Sequence, residues 1–234
     1  MTPAAGALPI VYLGPSLPLD AAKQLLDADY RPPVRRGDLP ERHDAAVIVI
    51  DGEFGQSLSV SPNEILRLLD NGTRVVGAAS MGALRAAELH RYGMEGRGWI
   101  FDQYHSGRLD GDDEVAVMYS PYDLQPLTVP LVNVRRWLER HVAAGELDPG
   151  MARRLLARAR RVFYADRTEE RLCEELRQAL GEHELERLLQ ASGGAIPDAK
   201  AEDARAALQA EAGGRLRREV QPRDDERRGG DDGS

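Results

Sequence analysis

Apolar and polar positions in the first half of the chain alternate between strand-like and helix-like patterns. Three apolar runs that predict strands cover residues 8–13, 46–50 and 73–78. Helix-like segments that follow them cover residues 19–26, 63–69 and 80–89. The continuous, mostly β-branched run at 46–50 is typical of a strand that is buried on both faces. Strands and helices in alternation imply right-handed crossovers, so we expect an α/β fold with a mainly parallel sheet and flanking helices.

The boundaries of the second helix are marked by residues with defined roles at helix ends. Ser61 has the side chain of an N-cap, and Pro62 suits the first helical position. Asn71-Gly72 is typical of a helix end.

The second half of the chain has a helical pattern. Apolar residues recur at helical spacing from residue 131 onward, and Trp137 and Phe163 are expected in the core. Beyond about residue 213 the chain consists mainly of arginine, aspartate and glycine. These shifts predict an α/β core at 1–125, a helical subdomain at 126–212 and a disordered tail at 213–234.

Composition and charge argue against several classes of protein. The net charge is −8, which argues against a nucleic-acid partner because such proteins carry a basic stripe. Neither a signal peptide nor an apolar stretch long enough for a bilayer is visible, so we expect a cytoplasmic protein without membrane contact. Cys173 is the only cysteine, which excludes an internal disulfide and a thiolate zinc site. Among 31 basic residues only Lys23 and Lys200 are lysine.

A serine stands where the third predicted strand meets its helix. The segment 77–82 approximates the G-x-S-x-G nucleophile elbow, with Ala78 in place of the first glycine and Ser80 as the hydroxyl. The N–H groups of Met81 and Gly82 would lie at the helix N-terminus, where they could hold an oxyanion. The plainer interpretation is that Ser80 is only a helix N-cap.

Charged residues near this turn allow several interpretations. Asp51 and Glu53 follow the buried strand and would share the sheet edge of Ser80, although Asp51-Gly52 alone is ordinary turn chemistry. Arg85 lies one turn into the helix after Ser80, where it could meet an anion. The acidic run at 112–114 is more typical of a solvated loop or helix start than of a metal site. No phosphate-binding glycine motif is present, so no nucleotide cofactor is expected, and no residue pattern supports a metal.

Several segments between residues 10 and 120 together resemble the TfuA-like family. The most specific is Ser80-Met81-Gly82-Ala83-Leu84-Arg85-Ala86-Ala87-Glu88-Leu89. The supporting segments are Gly14-Pro15-Ser16, Tyr30-Arg31-Pro32-Pro33, Gly37-Asp38, Ile50-Asp51-Gly52, Ser59-Val60, Glu64-Ile65-Leu66, Tyr92-Gly93-Met94-Glu95-Gly96 and Asp112-Asp113-Glu114-Val115-Ala116.

The resemblance implies an accessory protein of peptide backbone thioamidation. Such a protein works beside a YcaO-type ATP-dependent enzyme and helps it engage a precursor peptide. It is thought to hydrolyse the C-terminal thiocarboxylate of a ubiquitin-like sulfur-carrier protein and so release sulfide. The site implied by the resemblance is hydrolase-like and contains a serine–lysine pair.

Only half of that pair carries over from the matching segments. The serine falls on Ser80, but Asn63 stands where the family often has lysine, and Lys23 and Lys200 both lie outside the matching segments. Asparagine is not a useful base.

The missing base leaves three interpretations open. Asp51, Glu53 or Lys23 could take the proton of the serine, or turnover could be slow, or the protein could only dock the carrier. A non-catalytic adaptor that bridges enzyme, peptide and sulfur donor is therefore the alternative to a serine-dependent thiocarboxylate hydrolase. An ordinary serine hydrolase of small esters or thioesters is a further alternative.

Overall fold

The fold is a parallel five-stranded sheet with helices on both faces, as the sequence predicts. The computed structural model describes residues 7–55 and 58–220. The strand order is β2-β1-β3-β4-β5, and every neighbouring pair is parallel. The strands are β1 Ile10–Tyr12, β2 Asp29–Arg31, β3 Val47–Val49, β4 Val75–Ala78 and β5 Glu95–Arg97. The helices are α1 Leu19–Lys23, α2 Pro62–Asp70, α3 Met81–Leu89, α4 Trp99–His105, α5 Leu131–Ala143, α6 Pro149–Arg161, α7 Glu169–Leu180, α8 Glu182–Ala191 and α9 Ala199–Val220.

The central strands bury both of their faces, which explains their continuous apolar character. Val47 and Val49 of β3 pack with α2, α3 and α4 on one side of the sheet. Ile48 and Ile50 face the other side, where α1 and α9 pack. Alternate residues of a strand point to opposite faces, so an uninterrupted apolar run supplies two cores at once.

Helix α2 begins as its sequence predicts. Ser61 caps the helix by accepting a hydrogen bond from the amide of Glu64, and the Glu64 carboxylate accepts one in return from the Ser61 amide. Pro62 occupies the first helical position. This reciprocal capping box satisfies donors that the first helical turn would otherwise leave open.

Two glycines let α3 lie directly on the sheet. A Cβ atom on Gly82 would collide with the carbonyl oxygen of Val49, and one on Gly77 would collide with the carbonyl oxygen of Gly82. The glycines required by this close approach are therefore Gly77 and Gly82. The start of α3 is held against the ends of both β3 and β4.

The C-terminal helices form a second apolar cluster, although its limits differ from the predicted subdomain. Helices α5 to α8 pack around Trp137, with leucines from each helix. Phe163, by contrast, is 60% exposed, so the prediction that it lies in the core is wrong. It follows the C-terminal end of α6, where the chain turns outward before α7.

Helix α9 packs on the sheet and also contacts α5 of the C-terminal helices, so it joins the two parts of the chain. Its residues Ala204, Ala207 and Leu208 pack with the sheet. It continues to Val220, whereas the sequence predicted a disordered tail at 213–234. The rest of that tail, 221–234, lies outside the described residues.

Some elements carry no apolar signal that could have predicted them. The strands β2 and β5 have the sequences Asp-Tyr-Arg and Glu-Gly-Arg, and both lie at edges of the sheet. In the described part of the chain, no helix is long and apolar enough to cross a membrane.

Candidate functional site

The carboxyl ends of β3 and β4 bring Asp51 and Ser80 to the same edge of the sheet. Each residue lies two positions beyond the end of its strand, and the two strands are hydrogen-bonded neighbours. Ala79 turns the chain between β4 and α3 with a φ of 64°, a left-handed conformation that costs a non-glycine residue about 1–2 kcal/mol. A strained turn therefore presents Ser80, as in a nucleophile elbow.

The Ser80 hydroxyl does not act as a helix cap. It occupies the N-cap position of α3, but its side chain makes no capping hydrogen bond. Among the described residues no other partner for its Oγ atom is found. The side chain is only 1% exposed. Because the Ser80 side chain makes no capping hydrogen bond, the plain N-cap interpretation does not explain this serine.

The two amides predicted to hold an oxyanion differ in their hydrogen bonding. The Gly82 amide donates to the carbonyl oxygen of Ile50 at 3.3 Å, so it is not free, contrary to the expectation from the sequence. Docking α3 onto the end of β3 is what brings these two groups together. The Met81 amide has no hydrogen-bond partner within the part of the chain that the structure describes. One backbone donor thus remains beside Ser80.

Asp51 is the most heavily hydrogen-bonded carboxylate of this edge. Its Oδ2 atom accepts from the amides of Gly14 and Ser16 at 2.9 and 3.0 Å. Its Oδ1 atom accepts from the Ser16 hydroxyl at 2.6 Å. These donors belong to the loop after β1, so Asp51 ties the ends of β1 and β3 together.

A buried lysine, Lys200, completes the cluster. Its Nζ atom lies 3.9 Å from Asp51 Oδ1 and donates a hydrogen bond to the carbonyl oxygen of Val115 at 3.0 Å. Lys200 is 3% exposed, and burial lowers the pKa of its ammonium group, while the negative charges of Asp51 and Asp198 oppose that change. It also lies one helical turn before Ala204, which packs with Ala79 in the same apolar cluster. Lys200 is therefore a base candidate at Asp51, on the sheet edge that also carries Ser80.

The start of α9 is fixed so that Lys200 points inward. Asp198 accepts hydrogen bonds from the amides of Lys200 and Ala201 at 3.0 and 3.1 Å, as an N-cap does. Asn133 of α5 accepts from the Ala199 amide and donates to Asp198. The first turn of α9 is thereby anchored to the helical subdomain.

Glu53 lies at the same edge but is already occupied by partners. Its carboxylate accepts a hydrogen bond of 2.5 Å from the Tyr119 hydroxyl and forms an ion pair with Arg35 at 3.1 Å. Burial raises the pKa of Tyr119, and the Glu53 hydrogen bond adds to that shift. Glu53 serves to hold residue 119 against the sheet edge, which leaves it poorly suited to act as the base.

Arg85 is directed away from Asp51. Its Nε atom donates to the Val60 carbonyl oxygen at 3.1 Å, and its Nη1 atom pairs with Glu88 at 2.6 Å. Together with Met81 it lines a polar cavity of about 310 Å³. Its charge is therefore largely neutralised within α2 and α3.

The remaining sequence candidates do not join the cluster. Asn63 is exposed in the first turn of α2, and Lys23 is exposed at the end of α1. In the acidic run at 112–114, Glu114 is buried and pairs with Arg135 at 2.6 Å, so it is neither a solvated residue nor an open ligand. No group of three or more potential metal-ligating side chains occurs in the described ranges.

A larger cavity of about 430 Å³ opens beside the cluster. We call it the Ser16 cavity, and it is lined by 13–19, 30–32, 123–126, Asp198 and Ala201. Its wall includes Gly14 and Ser16, the residues that bind Asp51. Ser80 lines neither this cavity nor the polar one.

Lys200 and Ser16 are the site residues that the sequence did not reveal as such. Lys200 lies 120 positions after Ser80, and only the packing of α9 on the sheet brings it near. Two signals pointed to it: lysine is rare in this arginine-rich chain, and Asp198 before an alanine-rich stretch is typical of a helix start.

The comparisons with known proteins identify a family for this chain. No curated protein matches the chain significantly. In a comparison with protein families, the family described as TfuA-like protein matches residues 51–168, which include Asp51 and Ser80. This match spans half of the chain, and the chain belongs to the TfuA-like family.

Proposed function

We propose that this protein hydrolyses the C-terminal thiocarboxylate of a ubiquitin-like sulfur-carrier protein and supplies sulfide to a YcaO-type enzyme, which it also helps to engage a precursor peptide. Membership of the TfuA-like family supports a thioamidation-associated role. The observation that carries the hydrolase proposal is the buried Lys200, whose ammonium pKa is lowered at the sheet edge that holds Ser80.

A lysine of lowered pKa suits this chemistry because its neutral amine can accept a proton. A serine hydroxyl is a weak nucleophile until an adjacent base takes its proton, and desolvation is a common way to make lysine such a base. Lys200 therefore replaces Asn63, Asp51, Glu53 and Lys23 as the proposed base. Asp51 positions Lys200, because its own oxygens are already held by the loop after β1.

The proposed reaction proceeds in two balanced steps. Ser80 Oγ attacks the thiocarboxylate carbon and loses its proton to the neutral Lys200 amine. The carbon–sulfur bond then breaks, and the departing sulfur takes that proton and leaves as hydrogen sulfide anion. Water next attacks the acyl ester, again with Lys200 accepting and returning a proton, which restores Ser80. The net products are a carboxylate, hydrogen sulfide anion and one proton.

The Met81 amide is the proposed donor to the oxyanion that forms in both steps. Loss of one such donor typically slows an acyl transfer by about 10²–10³-fold. A thiocarboxylate is already anionic, which makes it a poor electrophile. The start of α3 helps to offset this charge, because a helix N-terminus favours negative groups.

The test is sulfide release from a thiocarboxylated carrier protein mixed with native, Ser80→Ala and Lys200→Met protein. We expect each substitution to reduce the rate by at least about 10³-fold, as for members of a catalytic unit. A Ser80→Ala protein that releases sulfide at the native rate would refute the assignment.

A non-catalytic adaptor is the second candidate, favoured by the burial of Ser80 and by its absence from the two cavities. In that case the protein would hold the carrier against the YcaO-type enzyme without cleaving it. Full thioamidation by that enzyme in the presence of Ser80→Ala protein would favour the adaptor.

A further inference from the structure

Helix α6 carries charges of one sign only. Its 13 residues contain no aspartate or glutamate, and its arginines are Arg153, Arg154, Arg158, Arg160 and Arg161. The neighbouring helices α7 and α8 contain both glutamate and arginine. An all-basic helix stands out in a chain whose net charge is −8. Its positive charge is therefore a local feature and not a property of the whole chain.

Four of these arginines lie on the exposed side of α6. They are Arg153, Arg154, Arg160 and Arg161. At about 100° and 1.5 Å per residue, they fall within an arc of about 120° and within about 12 Å of the helix axis. The opposite side carries Leu155 and Ala159, which are fully buried among the C-terminal helices. The four exposed arginines thus form one compact basic surface, which we call the α6 patch.

The α6 patch has no ion-pair partner in the part of the chain that the structure describes. Arg154 donates only to the Met151 sulfur, at 3.7 Å. On the side that faces α7, Arg158 pairs with Glu175 at 3.4 Å. The arginines of α7 and α8 all pair with glutamates, and they are Arg171, Arg177 and Arg187. Arg154, Arg158 and Arg161 follow one another at spacings of four and three residues, where like charges repel, so an anionic partner would stabilise the helix.

An exposed aromatic pair adjoins the C-terminal end of the α6 patch. Phe163 is 60% exposed, and its ring centroid lies 4.5 Å from that of Tyr164. It follows Arg161 by two residues. Arginine and aromatic side chains are the types that are enriched where proteins meet. The patch and the aromatic pair together therefore have the composition of a binding surface.

The charge and extent of this surface favour an acidic segment of a protein over other anions. A long nucleic acid would be repelled by the negative charge of the whole chain, and the patch spans only about 12 Å. A lipid surface is disfavoured because the apolar side of α6 is buried among the C-terminal helices and cannot enter a bilayer. A short acidic segment matches the patch, because a carboxylate accepts two parallel hydrogen bonds from a guanidinium group. An apolar residue beside the carboxylates would contact Phe163.

We propose that the α6 patch, together with Phe163 and Tyr164, binds a short acidic segment of a partner protein that carries an apolar side chain beside its carboxylates. The surface lies on the C-terminal helices, and none of its residues takes part in the proposed reaction. The proposal therefore does not depend on whether Ser80 is a nucleophile.

Peptide binding tests the proposal directly. The probe is a fluorescein-labelled peptide with glutamates on both sides of one leucine, and its reference carries glutamine in place of glutamate. Fluorescence anisotropy measures the affinity of the native protein for each. We expect the acidic peptide to bind at least about tenfold more tightly than its reference. That preference should decrease as salt is raised, because salt screens exposed charges.

Two charge-reversal variants of equal net charge locate the binding surface. The test variant is Arg153→Glu/Arg154→Glu/Arg160→Glu/Arg161→Glu. The control reverses four exposed arginines elsewhere and is Arg67→Glu/Arg91→Glu/Arg108→Glu/Arg205→Glu. We expect the test variant to weaken binding of the acidic peptide by about tenfold or more and the control by at most about threefold, because only nearby charges pair with the peptide. Glutamine at the four patch positions preserves helix propensity and should weaken binding by about fivefold or more, which covers a test variant that fails to fold.

Phe163→Ala separates the apolar contact from the charges. It should weaken binding of the leucine peptide by about threefold and leave binding of a peptide with glycine in place of leucine unchanged. Equal binding by the test and control variants would overturn the proposal, as would a native protein that does not distinguish the acidic peptide from its reference. Tighter binding of oligouridine, or of vesicles that contain phosphatidylserine, would overturn it in favour of a nucleic acid or a lipid surface. An unchanged affinity in Phe163→Ala would overturn its apolar half.

Discussion

One polar cluster in the helical subdomain and the polar groups at the sheet edge differ in how completely they are hydrogen-bonded. In the helical subdomain, Ser192 accepts from the indole N–H of Trp137 at 2.9 Å and contacts His141 Nε2 at 3.0 Å, while His141 Nδ1 contacts Glu146 at 2.5 Å. This network is closed on itself. At the sheet edge, the Ser80 hydroxyl and the Met81 amide have no partner among the described residues.

We interpret the closed network as a stabilising element and the groups at the sheet edge as those of the proposed reaction. In a closed network, hydrogen bonds within the protein replace the hydrogen bonds to water that burial removes. A donor or hydroxyl without a partner has no such replacement, so the free-energy cost of its burial is not offset. The buried amine of Lys200 belongs to the second class, because burial disfavours its charged form. Arg167 in the helical half also keeps buried Nε and Nη1 atoms without a partner among the described residues, so an open polar group alone does not mark a functional site. The grouping of Ser80, the Met81 amide and Lys200 at one sheet edge is what supports the proposal.

The largest expected effect is that of Lys200→Met. This substitution removes the proposed base while keeping the length and apolar stem of the side chain, so kcat should fall by at least about 10³-fold. The melting temperature should fall, because the Val115 carbonyl oxygen and Asp51 both lose a partner, so activity is measured on the folded fraction. Sulfide release and thermal unfolding measure the two quantities on the same sample.

The matched control is Lys23→Met, the same change at the only other lysine of the chain, which is exposed. It should leave both activity and stability unchanged. A large loss of stability in Lys200→Met without loss of activity in the folded fraction would place Lys200 with the structural groups and remove the contrast.

The next largest effect is expected at Gly82, where the lack of a side chain lets α3 pack directly on β3. Gly82→Ala introduces a Cβ atom that collides with the Val49 carbonyl oxygen, which cannot move without breaking the sheet. We expect the free energy of unfolding to fall by about 3 kcal/mol, as measured by urea denaturation. Activity should fall as well, since α3 and the Met81 amide would shift.

Gly213→Ala is the control for the glycine substitution, because a Cβ atom at this position of α9 meets nothing within 4 Å. It should raise stability by about 0.5–1 kcal/mol through helix propensity. Equal stability changes in the two variants would contradict the close approach of α3 to β3.

The elements that the sequence predicts correctly are those with a local signal. The continuous apolar run of β3 and the capping residues of α2 are local signals, so those elements were predicted correctly. The turn at Ser80 was also visible, since small residues surround it. The strand β5, Glu-Gly-Arg, has no apolar signal and owes its conformation to pairing with β4.

The base of the site could not be predicted because its position depends on tertiary packing. Lys200 reaches Asp51 only because α9 returns across the sheet, with its start anchored by Asn133 from the helical subdomain. No periodicity or spacing encodes a contact over 149 residues. Asn63 stands where the family often has lysine, and its exposed position in α2 lies outside the cluster.

The pH dependence should report the lowered pKa of Lys200 directly. The amine acts as a base only when neutral, so kcat/KM should fall by up to about tenfold per pH unit as pH drops below the folded-state pKa. The free energy of unfolding should also decrease as pH falls. Between the lowered folded pKa and the unfolded value of about 10.4, the unfolded chain binds the proton and the native state does not, so stability decreases as pH falls through that window.

Comparison with Lys200→Met isolates this contribution from the other titrating groups. Urea denaturation at several pH values should give a shallower pH dependence for Lys200→Met than for the native protein and Lys23→Met. If all three proteins showed the same dependence, Lys200 would titrate normally, and the proposed base would lose its physical support.

The smallest effect is expected in the helical subdomain, from Ser192→Ala. This change leaves the indole N–H of Trp137 and the Nε2 atom of His141 without their partner, and Ser192 is half-buried, so water can replace part of the loss. We expect the free energy of unfolding to fall by about 1–2 kcal/mol. The ratio kcat/KM, measured on the folded protein, should remain native, because this network only stabilises the fold. A drop in kcat/KM at unchanged stability would mean that α5, which anchors the first turn of α9 through Asn133, transmits its packing to Lys200. The two halves would then form one functional unit, and the distinction between closed and open polar groups would no longer separate structure from function.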